Sequence, residues 1–300
     1  MHTVMFHLLR GCALLFLAVM VLWPTVAPAD LTFSAEVRES YEDNVIGLTA
    51  DNPNVGVDIR GGGGQTMGGM NLKGRLDNIP GGGSAGTVAG VTRQKGDFST
   101  SLYADIGWDY DLADAAGLLL LVSAEHKAYS TYNEFDFTIG SLSAGVTHQF
   151  SEMLTGRIGL NVSRKDFHDS FRDSTAFGAT ASLKEHLAQA FWLKELLDIE
   201  QNKSQSSIYD YTGFSAGIRA GYDISDLQSV SAGYSYLVRD FKDSAPSFKL
   251  TSQVVSLDWV LELNDNWTVL AGYNHEKADS NIANTATSNN IYTAGIRYDY

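Results

Sequence analysis

The last eleven residues of the chain alternate strictly between two kinds of side chain. One row consists of Tyr292, Ala294, Ile296, Tyr298 and Tyr300, and the other of Ile291, Thr293, Gly295, Arg297 and Asp299. Because successive side chains of a strand point to opposite faces, one face of this segment is aromatic and apolar while the other is small, polar or charged. The pattern predicts a β-strand whose two faces meet different surroundings.

A final strand that ends on a C-terminal aromatic residue resembles the terminal signal of bacterial outer-membrane β-barrels. The resemblance implies that the barrel-assembly machinery reads Tyr298 and Tyr300, and that this last strand closes the barrel. A soluble sheet could show the same alternation, so the interpretation depends on the rest of the chain.

The N-terminal segment has the three parts of a secretory signal. Arg10 precedes an apolar run at 11–23, and the small-residue sequence Ala-Pro-Ala follows at 27–29. The run of thirteen residues is short of the roughly 20 that a membrane-spanning helix needs, which disfavours an uncleaved anchor. We therefore predict a signal peptide at 1–29 and a barrel domain at 30–300.

Alternation of the same kind recurs twelve times along the chain. The predicted strands are 31–48, 98–111, 117–131, 135–150, 153–167, 174–187, 191–203, 211–224, 229–241, 248–263, 267–276 and 290–300. Short connections alternate along the chain with connections that are mostly longer. This alternation is typical of outer-membrane barrels, in which the short turns are periplasmic. The sequence thus predicts an all-β fold, a transmembrane antiparallel up-and-down β-barrel of about 12 strands.

A water-soluble β-sandwich is the alternative architecture. Its outer faces would show aromatic rows on most strands, and no core could bury them all. In lipid, by contrast, a closed barrel satisfies the hydrogen bonds of every strand edge. These considerations favour the membrane barrel.

Two local features of the strands carry further expectations. In the fourth strand the apolar phase moves from Phe137 and Ile139 to Leu142 and Ala144, which predicts a β-bulge near Gly140. Aromatic residues near both strand ends predict two girdles at the level of the lipid headgroups. The girdle candidates include Trp108, Trp192, Trp259 and Trp267 near the short turns, and Phe137 and Phe167 near the longer loops.

Two short motifs resemble a pattern in β-barrel porins of Gram-negative bacteria. Residues 39–45 (Glu-Ser-Tyr-Glu-Asp-Asn-Val) match a Y-D-D-N-V type of first-strand end, and residues 95–98 (Lys-Gly-Asp-Phe) match a K-x-D-F start of the second strand. Some members of that group are associated with exopolysaccharide export. The chain departs from the pattern at Ile46, where the family usually has an aromatic residue. The resemblance implies a barrel of unspecified cargo.

The segment 49–96 between these motifs is predicted to be a long extracellular loop. It contains 14 of the 29 glycines of the chain. Such a segment is either a mobile surface loop or one that folds into the barrel as a constriction. The neighbouring acidic group at 42–44 is interpreted as part of a solvated loop rather than a calcium site.

In each predicted strand, one row of alternating side chains is apolar and the other is polar. The polar rows contain nine acids and nine bases, which we expect to face the lumen because a charged side chain that faces lipid is costly. The principal candidates are Glu36, Arg38, Asp105, Asp109, Glu125, Lys127, Arg157, Arg219, Asp223, Asp258, Glu262, Arg297 and Asp299, and the remaining ones are Lys165, Lys184, Lys194, Asp198 and Arg239. They form either a salt-bridged interior or charge rings that filter solutes. The balance of signs argues against strong ion selectivity.

Composition excludes several classes of function. With 35 acidic and 21 basic residues the formal net charge is −14, which argues against a nucleic-acid partner. No histidine spacing fits a metal site, and no catalytic or cofactor motif is recognisable, so the sequence predicts neither an enzyme nor a cofactor.

The expected location is the outer membrane of a Gram-negative bacterium, with lipid and lipopolysaccharide as surroundings. The expected role is that of a porin-like channel or export conduit for small polar solutes or polysaccharide. The alternative is a closed barrel with a structural, adhesive or surface-assembly role.

Overall fold

The chain folds into a closed antiparallel barrel of twelve strands, as the alternation predicts. The computed structural model describes residues 30–44, 96–113, 115–168, 170–241, 248–281 and 287–300. The strands are β1 Asp30–Glu42, β2 Asp97–Ala113, β3 Ala116–Tyr129, β4 Phe137–Ser151, β5 Leu154–Phe167, β6 Ser174–Ala188, β7 Phe191–Ser204, β8 Tyr211–Ser225, β9 Gln228–Phe241, β10 Phe248–Glu262, β11 Trp267–Ser280 and β12 Thr287–Asp299. Each strand pairs with its neighbours in sequence, and β1 pairs with β12.

The strand pairing divides the side chains into two faces of opposite character. Because paired residues lie on the same face, the register can be followed around the whole barrel. The large apolar side chains exposed on the strands all fall on one face. They include Val37, Leu102, Val122, Leu142, Ile158, Phe177, Ile199, Ile218, Tyr234, Leu257, Trp267 and Ile296. This outer face suits contact with hydrocarbon, and the opposite inner face is charged and polar.

The two ends of the barrel differ in their connections. At the end that we call the turn end, β4 and β5 are joined through two residues, Glu152 and Met153, and both chain termini of the barrel also lie here. Phe33 and Tyr300 exchange two backbone hydrogen bonds of 3.0 and 2.9 Å, so the last residue helps to seal β12 against β1. The longer connections lie at the opposite, loop end.

Three successive connections at the loop end share one design. Each contains a single 3₁₀ turn, at Asn133–Phe135, Ser170–Arg172 and Ser207–Tyr209, and each turn is followed by an aspartate. The carboxylates of Asp136, Asp173 and Asp210 accept backbone N–H groups of the preceding strand at 2.7, 2.9 and 2.6 Å. A charged acceptor therefore fixes the point at which each strand turns.

Asp97 has a related role at the start of β2. Its carboxylate accepts the backbone N–H groups of Thr131 and Tyr132 at 2.8 and 3.0 Å. The aspartate of the Lys-Gly-Asp-Phe motif is thus a structural anchor for the neighbouring connection. This contact explains why an aspartate stands at this position of the motif, which the sequence alone does not reveal.

The predicted bulge near Gly140 is wrong. The register of β4 runs without a shift from Phe137 to Gln149, and the irregularity falls between Gln149 and Ser151 at the turn end. Phe137 and Ile139 point inward and are buried, whereas the later apolar residues of the strand point outward. The change of phase arises because aromatic and aliphatic side chains also occupy inner-face positions near the loop end.

Part of the predicted aromatic girdles is also wrong. Trp192 lies on the inner face and is buried. Its indole packs against the backbone of Gly221, in the space that a larger side chain at position 221 would occupy. Phe137 and Phe167 also lie on the inner face, with ring centroids 5.9 Å apart. Trp267 keeps its predicted outward position and packs on Tyr298 at 5.0 Å.

Several predicted segments fall outside the part of the chain that the structure describes. These are the signal peptide at 1–29 and nearly all of the Gly-rich segment at 49–96. Within the described part, β1 ends at Glu42, and β11 and β12 are longer than predicted. No helix among the described residues is long and apolar enough to cross a bilayer.

Candidate functional site: the inner face of the barrel

The thirteen principal candidates all occupy the inner face by register. Glu36, for example, pairs with Arg297 on β12 and with Tyr103 on β2, and all three lie on the same face. The same continuity holds for Glu36, Arg38, Asp105, Asp109, Glu125, Lys127, Arg157, Arg219, Asp223, Asp258, Glu262, Arg297 and Asp299. Their use as the lining of a solute path stays a prediction.

Arg219 and Asp258 form an ion pair that crosses one intervening strand of the inner wall. Arg219 stands on β8 and Asp258 on β10, so the guanidinium crosses β9 to reach the carboxylate. The crossing is possible because Gly233, the direct partner of Arg219 on β9, has no side chain in the way. Arg219 also donates to the hydroxyls of Ser231 and Ser256 at 3.0 and 3.3 Å.

Two further ion pairs lie within single strands. The Arg38 Nε donates to Glu36 at 2.6 Å, and the Arg297 Nε donates to Asp299 at 3.0 Å. In each pair the residues are two apart, the spacing that places neighbours on one face of a strand. These contacts fit the salt-bridged interior that the sequence allows.

Near the loop end, Glu42 is the centre of a buried polar cluster. Its side chain is fully buried and accepts bonds from the Lys127 Nζ at 2.7 Å and the Tyr129 hydroxyl at 2.9 Å. The Asn289 amide approaches the second carboxylate oxygen at 3.3 Å. The expectation of a solvated loop at 42–44 is therefore wrong, because the first of these acids belongs to the barrel interior.

Cations and aromatic rings fill much of the same layer. The Lys165 Nζ lies 3.6 Å from the centroid of the Phe137 ring, and the Arg239 guanidinium lies 4.8 Å from that of Tyr211. Arg239 is only 1% exposed, and its Nε is 3.7 Å from a carboxylate oxygen of Glu200. We call the set Glu42, Lys127, Tyr129, Phe137, Lys165, Glu200, Tyr211, Arg239 and Phe241 the loop-end layer.

The sequence-based selection missed five acids of the inner face, namely Glu42, Asp97, Asp111, Glu200 and Glu276. Glu42, Glu200 and Glu276 are buried and continue the inward rows of β1, β7 and β11. The signal that could have found them is the strand period, because each lies an even number of residues from other inward positions of its strand. All three glutamates lie inside the predicted strands 31–48, 191–203 and 267–276, but the sequence interpretation assigned Glu42 to a solvated loop and did not include the other two in the inner rows.

The central part of the inner face consists largely of small polar residues. Ser123, Ser141 and Ser163 are direct partners across β3, β4 and β5. Comparable central positions are taken by Ser143, Thr180, Ser215, Ser235 and Ser256 and by Gly159, Gly178, Gly217 and Gly233. About eight strands already make a barrel that side chains just fill, so small residues leave room inside a barrel of twelve strands.

The inner charges are separated by sign. On the wall formed by β5 to β9, the basic wall, the cations are Arg157, Lys165, Lys184, Lys194, Arg219 and Arg239, and the described acids are Asp198, Glu200 and Asp223. On the acidic wall, formed by β10 to β12 and β1 to β3, the acids are Glu36, Glu42, Asp97, Asp105, Asp109, Asp111, Glu125, Asp258, Glu262, Glu276 and Asp299, and the described cations are Arg38, Lys127 and Arg297. The described inner face thus carries fourteen acids and nine cations rather than the nine of each that the sequence predicts, and their separation directs a field across the barrel.

The two residues of the predicted assembly signal lie at the turn end of β12. The Tyr298 ring packs on Trp267 on the outer face, and Tyr300 is largely exposed beyond the last strand pair. Their recognition by assembly machinery stays a prediction. Among the described residues, no group of three or more His, Cys, Asp or Glu side chains is arranged to hold a metal ion.

Comparison with known proteins establishes the fold. No family model matches the chain, and no curated protein matches it. An outer-membrane channel from Pseudomonas putida F1 is similar in structure, with a TM-score of 0.55 and 10% identity over 91% of this chain and 96% of that one. At this identity the likeness concerns the barrel architecture alone.

Two other solved barrels match with lower scores. The KdgM porin in complex with disordered oligogalacturonate has a TM-score of 0.43 and 9% identity over 88% of this chain and 98% of that one. A loop-deletion mutant of OmpT, an outer-membrane protein of Vibrio cholerae, has a TM-score of 0.43 and 10% identity over 91% and 100%.

Proposed function

We propose that the chain is an outer-membrane barrel of a Gram-negative bacterium and acts as a porin-like channel or export conduit. In this arrangement the loop end is extracellular and the turn end periplasmic. The substrate class is small polar solutes or polysaccharide. The barrel itself is not an enzyme on this proposal, and its surroundings are lipid and lipopolysaccharide.

The observation that carries the proposal is the contrast between barrel width and inner side-chain size. Twelve strands enclose more space than small side chains fill, and the central inner face is made mainly of serine, threonine and glycine. A barrel built only as a scaffold would be stabilised by large apolar residues at these positions. Hydroxyl groups on a wide wall instead suit passage of hydrated solutes.

The closed barrel is the second candidate, and the loop-end layer favours it. Glu42, Arg239 and Phe241 are each at most 1% exposed, so the interior is tightly packed near the extracellular side. If the protein is a channel, its lumen is narrowest at the loop-end layer. If it is a closed barrel, this layer blocks the lumen completely. The two candidates therefore differ in whether ions cross the layer.

Conductance separates the two candidates. The mature chain is purified, folded in detergent and inserted into planar bilayers, and folding is verified by heat-modifiable migration on a gel. We expect discrete conductance steps, and swelling of liposomes that contain the protein in small neutral sugars. Folded protein that produces neither steps nor swelling would overturn the channel and favour the structural or adhesive role.

A further inference from the structure

Three cations stand side by side on the inner face of the basic wall. Lys184 on β6 is the direct partner of Lys194 on β7, and Lys194 is in turn the direct partner of Arg219 on β8. Directly opposed residues have Cβ atoms about 5 Å apart, and like charges in such pairs destabilise a sheet. The row concentrates three positive charges on one part of the inner wall, and this concentration favours the binding of an anion.

The surroundings of the row are suited to an anionic ligand. The inner-face neighbours of the two lysines in the register are Arg157, Ser182, His186, Trp192 and Leu196, together with Thr155, Gly217 and Gly221. This set offers another cation, hydroxyl donors and two glycines that leave space over the wall. The four basic side chains are half-buried, in contrast to the buried cations of the loop-end layer.

Both ends of the row make contacts with neighbouring side chains. Arg219 is held by Asp258 and by two serine hydroxyls, so its guanidinium has a defined position at the boundary with the acidic wall. The Lys184 Nζ stands 5.2 Å from the ring centroid of Trp192, which lies beneath it. Arg219 and the two lysines together present positive charge across three neighbouring strands.

We infer that Lys184, Lys194 and Arg219 form a binding site for solutes with two or more anionic groups, such as carboxylates or phosphates. Neighbouring strands are about 4.8 Å apart, so the row spans roughly 10 Å and can contact two such groups at once. The inference deepens the proposed function, on which it rests, by naming the charge class of the solute. It also places the selective contact on the periplasmic side of the loop-end layer.

The test uses citrate as the probe and compares wild type with the double variant Lys184→Gln/Lys194→Gln. Citrate binding to the folded barrel in detergent is measured by calorimetry, and citrate block of the chloride current is measured in bilayers. We expect binding to weaken about tenfold for each lysine removed, and the block to weaken in parallel. Lys277→Gln is the control, because Lys277 is an exposed residue of the outer row of β11 and its substitution removes one positive charge, as each of the two lysine substitutions does.

A structural role is distinguished from binding by two further measurements. Lys194→Arg keeps the charge and should retain citrate binding within a few-fold. Thermal unfolding of the double variant should occur at the same temperature as in wild type or higher, because a repulsive pair has been removed.

The outcomes separate the inference from the proposed function. A conducting barrel whose citrate affinity is unchanged in the double variant overturns the anion site and leaves the channel intact. A barrel that binds citrate through these lysines but conducts no ions overturns the channel and supports the site. Loss of citrate binding in Lys277→Gln as well would show non-specific attraction and would overturn the site.

Discussion

Lys127 donates a 2.7 Å hydrogen bond to Glu42, and the carboxylate that receives it is fully buried inside the loop end of the barrel. The two residues come from β1 and β3, which are adjacent to the same intervening strand. Because a buried charge is tolerated only with a partner, the pair ties the loop end of β1 to the barrel wall.

Removal of the lysine should destabilise the barrel strongly. Lys127→Gln leaves the Glu42 carboxylate without its cation, and breaking a buried pair costs about 3 kcal/mol or more. Urea unfolding of the folded barrel, followed by tryptophan fluorescence, measures the loss. Lys203→Gln is the control, because Lys203 is 56% exposed in its pair with Asp210 and should cost less than about 1 kcal/mol. Adding Glu42→Gln to Lys127→Gln should recover stability, and a further loss would contradict this account.

The two faces of the barrel should respond oppositely to arginine. Ala271 lies on the outer face opposite Ala294, with Val269 and Tyr273 in the same row. Arginine at a lipid-facing midplane position costs roughly 2–4 kcal/mol, so Ala271→Arg should reduce folded yield strongly while Ala271→Leu should not. The folded fraction is measured by heat-modifiable migration on a gel. Equal yields of the two variants would show that the assigned faces are inverted.

Loss of an inner charge should leave the barrel folded. Arg297→Ala removes the partner of Asp299, so stability falls modestly, but the position faces the interior rather than lipid. If the barrel conducts, its preference should shift towards cations because the acidic wall loses one of its cations. The reversal potential in a salt gradient measures the shift. A change towards anions would contradict the charge assignment.

The aspartate after each 3₁₀ turn should control local opening of the loop end. Asp136→Ala removes the acceptor of the Tyr129 N–H, a charge-assisted bond of 2.7 Å. Exchange of the Tyr129 amide proton should accelerate roughly tenfold or more. Asp166→Ala serves as control, because that carboxylate is exposed and bonds to the Arg164 side chain. Unaltered exchange in Asp136→Ala would mean that the turn holds its conformation by other contacts.

The C-terminal aromatics should matter for assembly more than other outer tyrosines. Tyr298→Ala combined with Tyr300→Ala should reduce the amount of folded barrel in the outer membrane, since the resemblance to the terminal signal implies that both are recognised. Tyr292→Ala is the comparison, because Tyr292 lies on the outer face of the same strand and packs on Tyr273. Immunoblots of unboiled membrane fractions report the folded amount. An equal reduction in both variants would indicate general packing rather than a signal.

The local period of the sequence determined the fold class, the number of strands and the face on which most side chains lie. This was possible because a strand alternates its side chains whatever its neighbours are, so Arg219, Asp258 and Arg297 could be assigned from their own segments. The period fails where both faces of a strand become apolar. For that reason the sequence predicts a β-bulge after Phe137 and a place for Trp192 in an aromatic girdle. Both predictions are wrong, because both side chains point into the barrel interior.

Only the tertiary structure decided how the inner charges are grouped. Lys184, Lys194 and Arg219 are spread along the sequence, and they form a row because the registers of β6, β7 and β8 bring them level. Likewise, Arg219 reaches Asp258 only because Gly233 lies between them with no side chain. Register is a property of pairs of strands rather than of single ones. The sequence of each strand therefore determines which of its side chains face inward, and the pairing of strands determines which of these side chains are in contact.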